Sequence, residues 1–173
     1  MMDKIRFLAF FSVALVFVIV LAGCTEQNGG KADVFFCPAD YCEQRAVSAI
    51  ASSKDSVDIA MYSFTSRGLF RELLNAEEHG VKVRVVADYE QSSIPSSVVK
   101  WLDGNGIETR IYNKGITLHD KFAIVDGALV MTGSYNWTKN ADTSNRENLV
   151  FISDRAIAKQ YEDEFFRLWV QAG

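Results

Sequence analysis

His119 and Lys121 stand two residues apart, and Ser134 and Asn136 repeat that spacing further on, all within Leu118–Trp137 (LHDKFAIVDGALVMTGSYNW). An imidazole attacks or carries protons near neutral pH, while an ammonium, a hydroxyl and an amide hold anionic oxygens. Between the two pairs lie the apolar runs Phe122–Val125 and Ala128–Met131, joined by Asp126-Gly127. Asp-Gly is a two-residue hairpin signal, because Gly accepts the positive φ of a type I′ turn. Antiparallel pairing through such a turn brings the polar ends side by side, and a spacing of two puts each pair on one face. These residues predict a phosphate site with a nucleophile in it.

The full pattern is His119-x-Lys121, four residues, Asp126, six residues, then Gly133-Ser134-x-Asn136. It resembles the HKD signature of the phospholipase D superfamily, and the resemblance extends over roughly Val34 to Trp169. It implies phosphodiester chemistry through a phosphohistidine, with His119 as nucleophile and Lys121, Ser134 and Asn136 holding the nonbridging oxygens. Neither a metal nor another cofactor is implied, since Lys and His carry the positive charge. Asp126 belongs to the signature but sits at the turn, where orienting the motif is its expected role. Glu147, in Asn145-Arg146-Glu147-Asn148, matches a carboxylate that in the family hydrogen-bonds the catalytic imidazole and fixes its tautomer.

The chain has two histidines. The other, His79, precedes Gly80 where a helix is ending, and a cation there needs no further reason. One catalytic histidine means one motif, whereas larger members of the superfamily carry two. A single-motif chain resembles the small nuclease-like branch, in which two protomers meet across a two-fold axis. The expected partner is a second copy, with His119 of each subunit at a shared site: one attacks phosphorus and the other protonates the leaving oxygen.

The 173 residues are 49% hydrophobic and 23% charged, enough for one compact domain. The formal charge is −4, and residues 1–23 contribute Asp3, Lys4 and Arg6, so the remainder carries −5. A polyanionic substrate must then be held by a local positive groove rather than by global charge. Lys4 and Arg6 precede an apolar run from Phe7 to Ala22, and Leu21-Ala22-Gly23-Cys24 follows a signal-peptide pattern. The ending resembles a prokaryotic lipobox, which implies a leader over 1–23, lipidation at Cys24, a flexible tether over 24–33 and a catalytic domain over 34–173. The domain would lie outside the cytoplasm, membrane-anchored through its N-terminus. Cys37 and Cys42 remain as a pair, and a disulfide suits that compartment.

Strands are expected at Val34–Phe36, Val57–Tyr62, Val81–Ala87, Ile107–Tyr112 and Asn148–Ile152, besides the hairpin. Helices are expected over Tyr41–Ser53, Arg67–Glu78, Val98–Gly104 and Arg155–Val170, with Thr65 or Ser66 capping the second and Gly80 stopping it. Tyr89–Ser97 and Thr138–Arg146 read as polar loops. Alternating strands and helices imply an α/β fold with a mixed, mostly parallel sheet flanked by helices.

Three functions fit. The first, and the one the sequence favours, is an exported, metal-independent endonuclease, supported by small size, by the single motif, by Lys114, Lys139 and Arg146 near the site, and by Tyr135 and Trp137 as base-stacking candidates, although core packing is the stronger expectation for Trp137. The second is a phospholipase D acting on phospholipid headgroups of phosphatidylcholine or cardiolipin type, which membrane attachment would favour and which the lack of an evident amphipathic, basic-faced helix beyond the N-terminal segment disfavours. The third is a noncatalytic binding member, which the complete motif disfavours.

Overall fold

The computed structural model describes residues 30–173. The expected leader, Cys24 and the tether up to residue 29 lie outside the described residues. The elements are β1 (Lys31–Cys37), α1 (Cys42–Ala51), β2 (Ser56–Met61), α2 (Arg67–Glu78), β3 (Lys82–Asp88), α3 (Tyr89–Ser93), α4 (Val99–Gly104), β4 (Glu108–Tyr112), β5 (Lys121–Val125), β6 (Leu129–Gly133), α5 (Lys139–Thr143), β7 (Glu147–Ser153) and α6 (Arg155–Ala172). Seven strands form one sheet in the order β1-β7-β6-β5-β2-β3-β4.

Alternation along the central strands builds a core on each face. Val57, Ile59 and Met61 of β2 join Ala123 and Val125 of β5 in the core under α1 and α2. Ala60, Phe122 and Ile124 point the other way, onto Phe165 and Leu168 of α6. Strands buried on both faces are apolar throughout, as VDIAM and KFAIV nearly are. The exception is Asp58, 3% exposed, whose carboxylate takes both Arg84 Nε and Nη2 at 2.6 and 2.7 Å. Burial pushes the Asp58 carboxyl above its usual range even with Arg84 beside it.

The sheet is mixed and flanked by helices as expected, but parallel pairing is its minor part. Only β2–β3 and β3–β4 are parallel, while β1–β7, β7–β6, β6–β5 and β5–β2 are antiparallel. Helical crossovers join the β2–β3–β4 run, and the hairpin and the strand returning beside it must run antiparallel. Strand β1 begins at Lys31, not Val34, because Lys31, Ala32 and Asp33 pair with Ser153, Ile152 and Phe151. Part of the expected tether is therefore sheet edge. Cys37 and Cys42 form a disulfide with Cα atoms 5.8 Å apart, closing the turn between β1 and α1.

Both stretches read as loops hold a short helix. Asp88 caps α3 by accepting Gln91 N–H, and Thr138 caps α5 by accepting Ala141 N–H. Five residues are too few to show a helical period, so the cap is what makes such a turn. The hairpin turn also differs by one residue. Asp126 and Gly127 both have positive φ, and Ala128 N–H donates to Val125 C=O, as in a I′ turn. The ladder nevertheless pairs Val125 with Leu129, leaving Ala128 as an extra residue.

Candidate active site

Strand β5 begins at Lys121, and His119 lies just before it in extended chain held at two points. The buried carboxylate of Asp88 accepts Leu118 N–H at 3.1 Å, and Asp120 C=O accepts Tyr62 N–H at 2.8 Å. Both anchors come from the carboxyl ends of the parallel strands β2 and β3, where open α/β sheets place their ligands. Tyr62 then packs its ring on His119, centroids 4.4 Å apart, and lies 5.1 Å beneath Lys121 Nζ. Lys121 Nζ donates to His119 C=O at 2.7 Å and lies 3.1 Å from His119 Nδ1. An ammonium only donates, so the ring nitrogen facing it accepts.

Strand β6 delivers the second half of the motif. Gly133 has φ +141, and a Cβ there would come within 2.3 Å of Asn148 C=O. Only glycine permits that approach of β6 to β7, and the approach seats Ser134. The Ser134 hydroxyl donates to Glu147 Oε2 at 2.5 Å and accepts Asn148 N–H at 3.1 Å. Glu147 Oε1 accepts Asn145 Nδ2–H at 3.0 Å. The carboxylate expected on the imidazole is thus committed to Ser134 and Asn145 within this protomer. It still acts on the site through its charge, which raises the Lys121 pKa. Burial of Lys121 outweighs it and the charge of Asp120, so the ammonium pKa stands below the ordinary lysine value.

Asn136 is half-buried, and its Oδ1 is enclosed without a partner among the described residues. Tyr135 and Trp137 are each 2% exposed, and Trp137 meets Phe64 edge-on at 5.0 Å. The alternation after β6 turns both rings into the core, so they offer no platform for bases. Asp126 is the residue the structure sets apart. It lies five residues beyond Lys121, about 16 Å along an extended strand. Its carboxylate accepts the backbone N–H groups of Lys54, Asp55 and Ser56 at 3.1, 2.8 and 3.0 Å. Partial burial pushes its pKa up, but those three donors together hold it below the usual carboxylate range. His79 is exposed at the end of α2, its Nδ1 2.7 Å from Asn75 C=O.

Two clefts meet at the His119–Tyr62 stack. One, about 320 Å³, is lined by His119, Asp120, Lys121, Tyr161 and Glu164. The other, about 470 Å³, includes Tyr62, Ser63, Gln91, Asn136 and Lys139. A phosphodiester lying over the stack would send one arm into each. Its phosphoryl oxygens would compete for Lys121, since a charged acceptor makes the stronger bond, and so release a ring nitrogen. Among the described residues no group of three or more His, Cys, Asp or Glu side chains could hold a metal ion.

Spacing pointed to His119, Lys121, Ser134 and Asn136. It missed Tyr62, Asp88 and Asn145. The first two end apolar strand runs, and the rule that ligands gather at carboxyl strand ends was the available signal.

Residues 46–169 match the family described as cardiolipin synthase, PLD-like domain. The mitochondrial cardiolipin hydrolase of Xenopus laevis is 35% identical over 158 residues, covering 90% of this chain and 75% of that protein. The human mitochondrial cardiolipin hydrolase is matched over half its length. The crystal structure of Nuc from Salmonella typhimurium, a phospholipase D family member, superposes with a TM-score of 0.79 at 31% identity, covering 83% of this chain and 97% of that one. NucT from Helicobacter pylori gives 0.76 at 27% identity, covering 82% of this chain and 97% of that one.

Proposed function

The chain belongs to the phospholipase D superfamily and is a phosphodiesterase of that family, and we propose that it hydrolyses a lipid phosphodiester through a phosphohistidine on His119. The observation that carries the chemistry is the His119–Lys121 pair, 3.1 Å apart, packed against the tilted Tyr62 ring where two clefts meet. A ring nitrogen of His119 attacks phosphorus, the P–O bond to the leaving arm breaks, and Lys121 and Asn136 hold the nonbridging oxygens. The leaving alkoxide takes its proton from His119 of a second protomer. That imidazole then takes a proton from water, which attacks phosphorus and breaks the P–N bond.

The lipid reading is favoured by the relatives named cardiolipin hydrolase, and burial of Tyr135 and Trp137 takes those two rings out of a base-stacking role. A second reading, an endonuclease, rests on the single motif and on Nuc and NucT, which this chain spans over 97% of their length. Cardiolipin vesicles and plasmid, each incubated with the protein in excess EDTA, separate the two. Loss of lipid phosphodiester with intact plasmid is the expected result, abolished in His119→Ala. Nicked plasmid with intact lipid would assign the nuclease instead.

The leader supports an extracytoplasmic site of action with an anchor at Cys24. No described helix is long and apolar enough to cross a membrane. Labelled palmitate is expected to be incorporated into the wild-type protein and not into Cys24→Ala, and no incorporation into wild type would exclude a lipid anchor there.

A further inference from the structure

Helices α2 and α4 leave a basic, aromatic patch between them. Trp101 of α4 is 39% exposed. Arg67 Cζ lies 5.7 Å and Lys100 Nζ 6.0 Å from its ring centroid, and Phe70 of α2 meets the ring edge-on at 6.3 Å. Arg71 and Leu74 follow Arg67 and Phe70 by four residues, so α2 carries both pairs on one side. Arg67, Arg71 and Lys100 are exposed and enter no ion pair among the described residues. In a chain of formal charge −4, three unpaired cations around one exposed ring are a local feature.

The patch borders the mouth of the site. Val98 N–H donates to Phe64 C=O at 3.1 Å, which holds the start of α4 against the segment that follows β2. Thr65 and Ser96 line the cleft that contains Asn136, and Arg67 stands two residues beyond Thr65. Two kinds of partner suit exposed aromatic rings among cations, a nucleic-acid strand and the headgroup layer of an anionic bilayer. A strand calls for successive stacking rings along a groove. Here Trp101 stands alone, with Phe70 and Leu74 half-buried beside it. One tryptophan among apolar side chains and cations is the composition of an interfacial anchor.

We infer that the Arg67–Trp101–Lys100 patch docks on the headgroup layer of an anionic bilayer and so turns the mouth of the site toward lipid. The inference rests on the lipid reading and adds to it the surface that meets the membrane. The Trp101 ring enters the headgroup layer, and the guanidinium and ammonium groups beside it face the anionic lipids. The repulsion of the acidic remainder is screened beyond about 10 Å at ordinary ionic strength, so the local charge decides. Neither α2 nor α4 carries the patch alone, which is why no basic-faced helix shows in the sequence.

Quenching of tryptophan emission by acyl-brominated lipids tests this on the full-length protein reconstituted in vesicles. The vesicles are phosphatidylcholine alone, or phosphatidylcholine with phosphatidylglycerol. Quenching is expected to be stronger with phosphatidylglycerol, and the excess should vanish in Trp101→Phe, which keeps Trp137 and Trp169. Arg67→Ala and Lys100→Ala should each weaken the docking equilibrium about fivefold, the share of one cation near the surface, and Arg67→Lys should restore most of it. Equal quenching in the two lipids, or an excess that survives Trp101→Phe or both alanine variants, would overturn the surface. Trp101 emission that follows protein concentration instead of lipid would assign the patch to contact between copies. A response to oligothymidylate at lower concentration than to vesicles would assign it to nucleic acid. Either result overturns the membrane assignment. Cardiolipin hydrolysis reports separately on the lipid reading, and intact cardiolipin with the quenching excess retained would sink that reading and leave the docking surface standing.

Discussion

Lys121 is expected to set the alkaline limit of the site's working pH as well as its charge. Burial disfavours the ammonium, and the charges of Asp120 and Glu147 recover only part of the loss, so the pKa is lowered. A lysine holds phosphoryl oxygens only while protonated, that is, below its pKa. The alkaline limb of the rate profile is therefore expected below the ordinary lysine value of about 10.4. Lys121→Arg, which keeps its proton, should turn over more slowly but push that limb upward. A wild-type profile flat through pH 10, or an unchanged limb in the arginine variant, would remove Lys121 from the charge-stabilising role. The motif residues were legible because spacing alone puts His119 with Lys121 and Ser134 with Asn136. Tyr62 was not, because its ring reaches His119 only after β2 and β5 pair, with Met61 opposite Lys121. Nor could spacing show that Glu147 would bond Ser134 and Asn145, since that depends on how closely Gly133 lets β6 approach β7.

The hairpin is the element that carries the motif, and Asp126 ties its far end to the α1–β2 loop. Three backbone N–H groups converge on one carboxylate, and Asp126 N–H returns a bond to Ser56 C=O. Asp126→Asn tolerates the same positive φ but gives up the charge, so it isolates the electrostatic part. After discount for solvent, the expected loss is about 1 kcal/mol, or about 2–4 °C in Tm for a domain of this size. The folded pKa lies below the unfolded one, so this stability is present above about pH 4 and is lost as pH falls through the folded pKa. The Tm gap between wild type and variant should therefore close in acid. Turnover at 25 °C should stay within a few-fold of wild type, whereas a large loss of activity at unchanged Tm would mean that Asp126 serves the chemistry directly. Element legibility followed length. Helix α2 was read at its observed limits because twelve residues show an apolar stripe between a Ser66 cap and Gly80. Helices α3 and α5 were not, because single turns exist through Asp88 and Thr138 and leave no period behind. The sheet's mostly antiparallel direction is hidden in the sequence for a related reason: crossover helices are visible there, while the pairing of β7 between β1 and β6 joins segments far apart in the chain.

At the scale of the molecule, one protomer supplies one His119, yet cleavage of a phosphodiester calls for both a nucleophile and a proton donor across the phosphorus. Within the protomer the neighbours of His119 are Lys121 and Tyr62, and neither is placed on the far side of a bound phosphate. A two-fold axis beside the stack would supply the missing imidazole from an identical chain and would also unite two Lys121 side chains over one phosphate. Co-expression of wild-type and His119→Ala chains, purified together, tests that arrangement quantitatively. If a site needs both histidines, only the wild-type pair is active, and equal mixing leaves about one quarter of the activity per total protomer. If each protomer works alone, about one half remains, as dilution requires. Light scattering on the same sample fixes the stoichiometry. A monomer with full activity, or the one-half result in a dimer, would return the entire reaction to a single chain and oblige another group, such as Asp120 or Glu164 of the His119 cleft, to protonate the leaving oxygen.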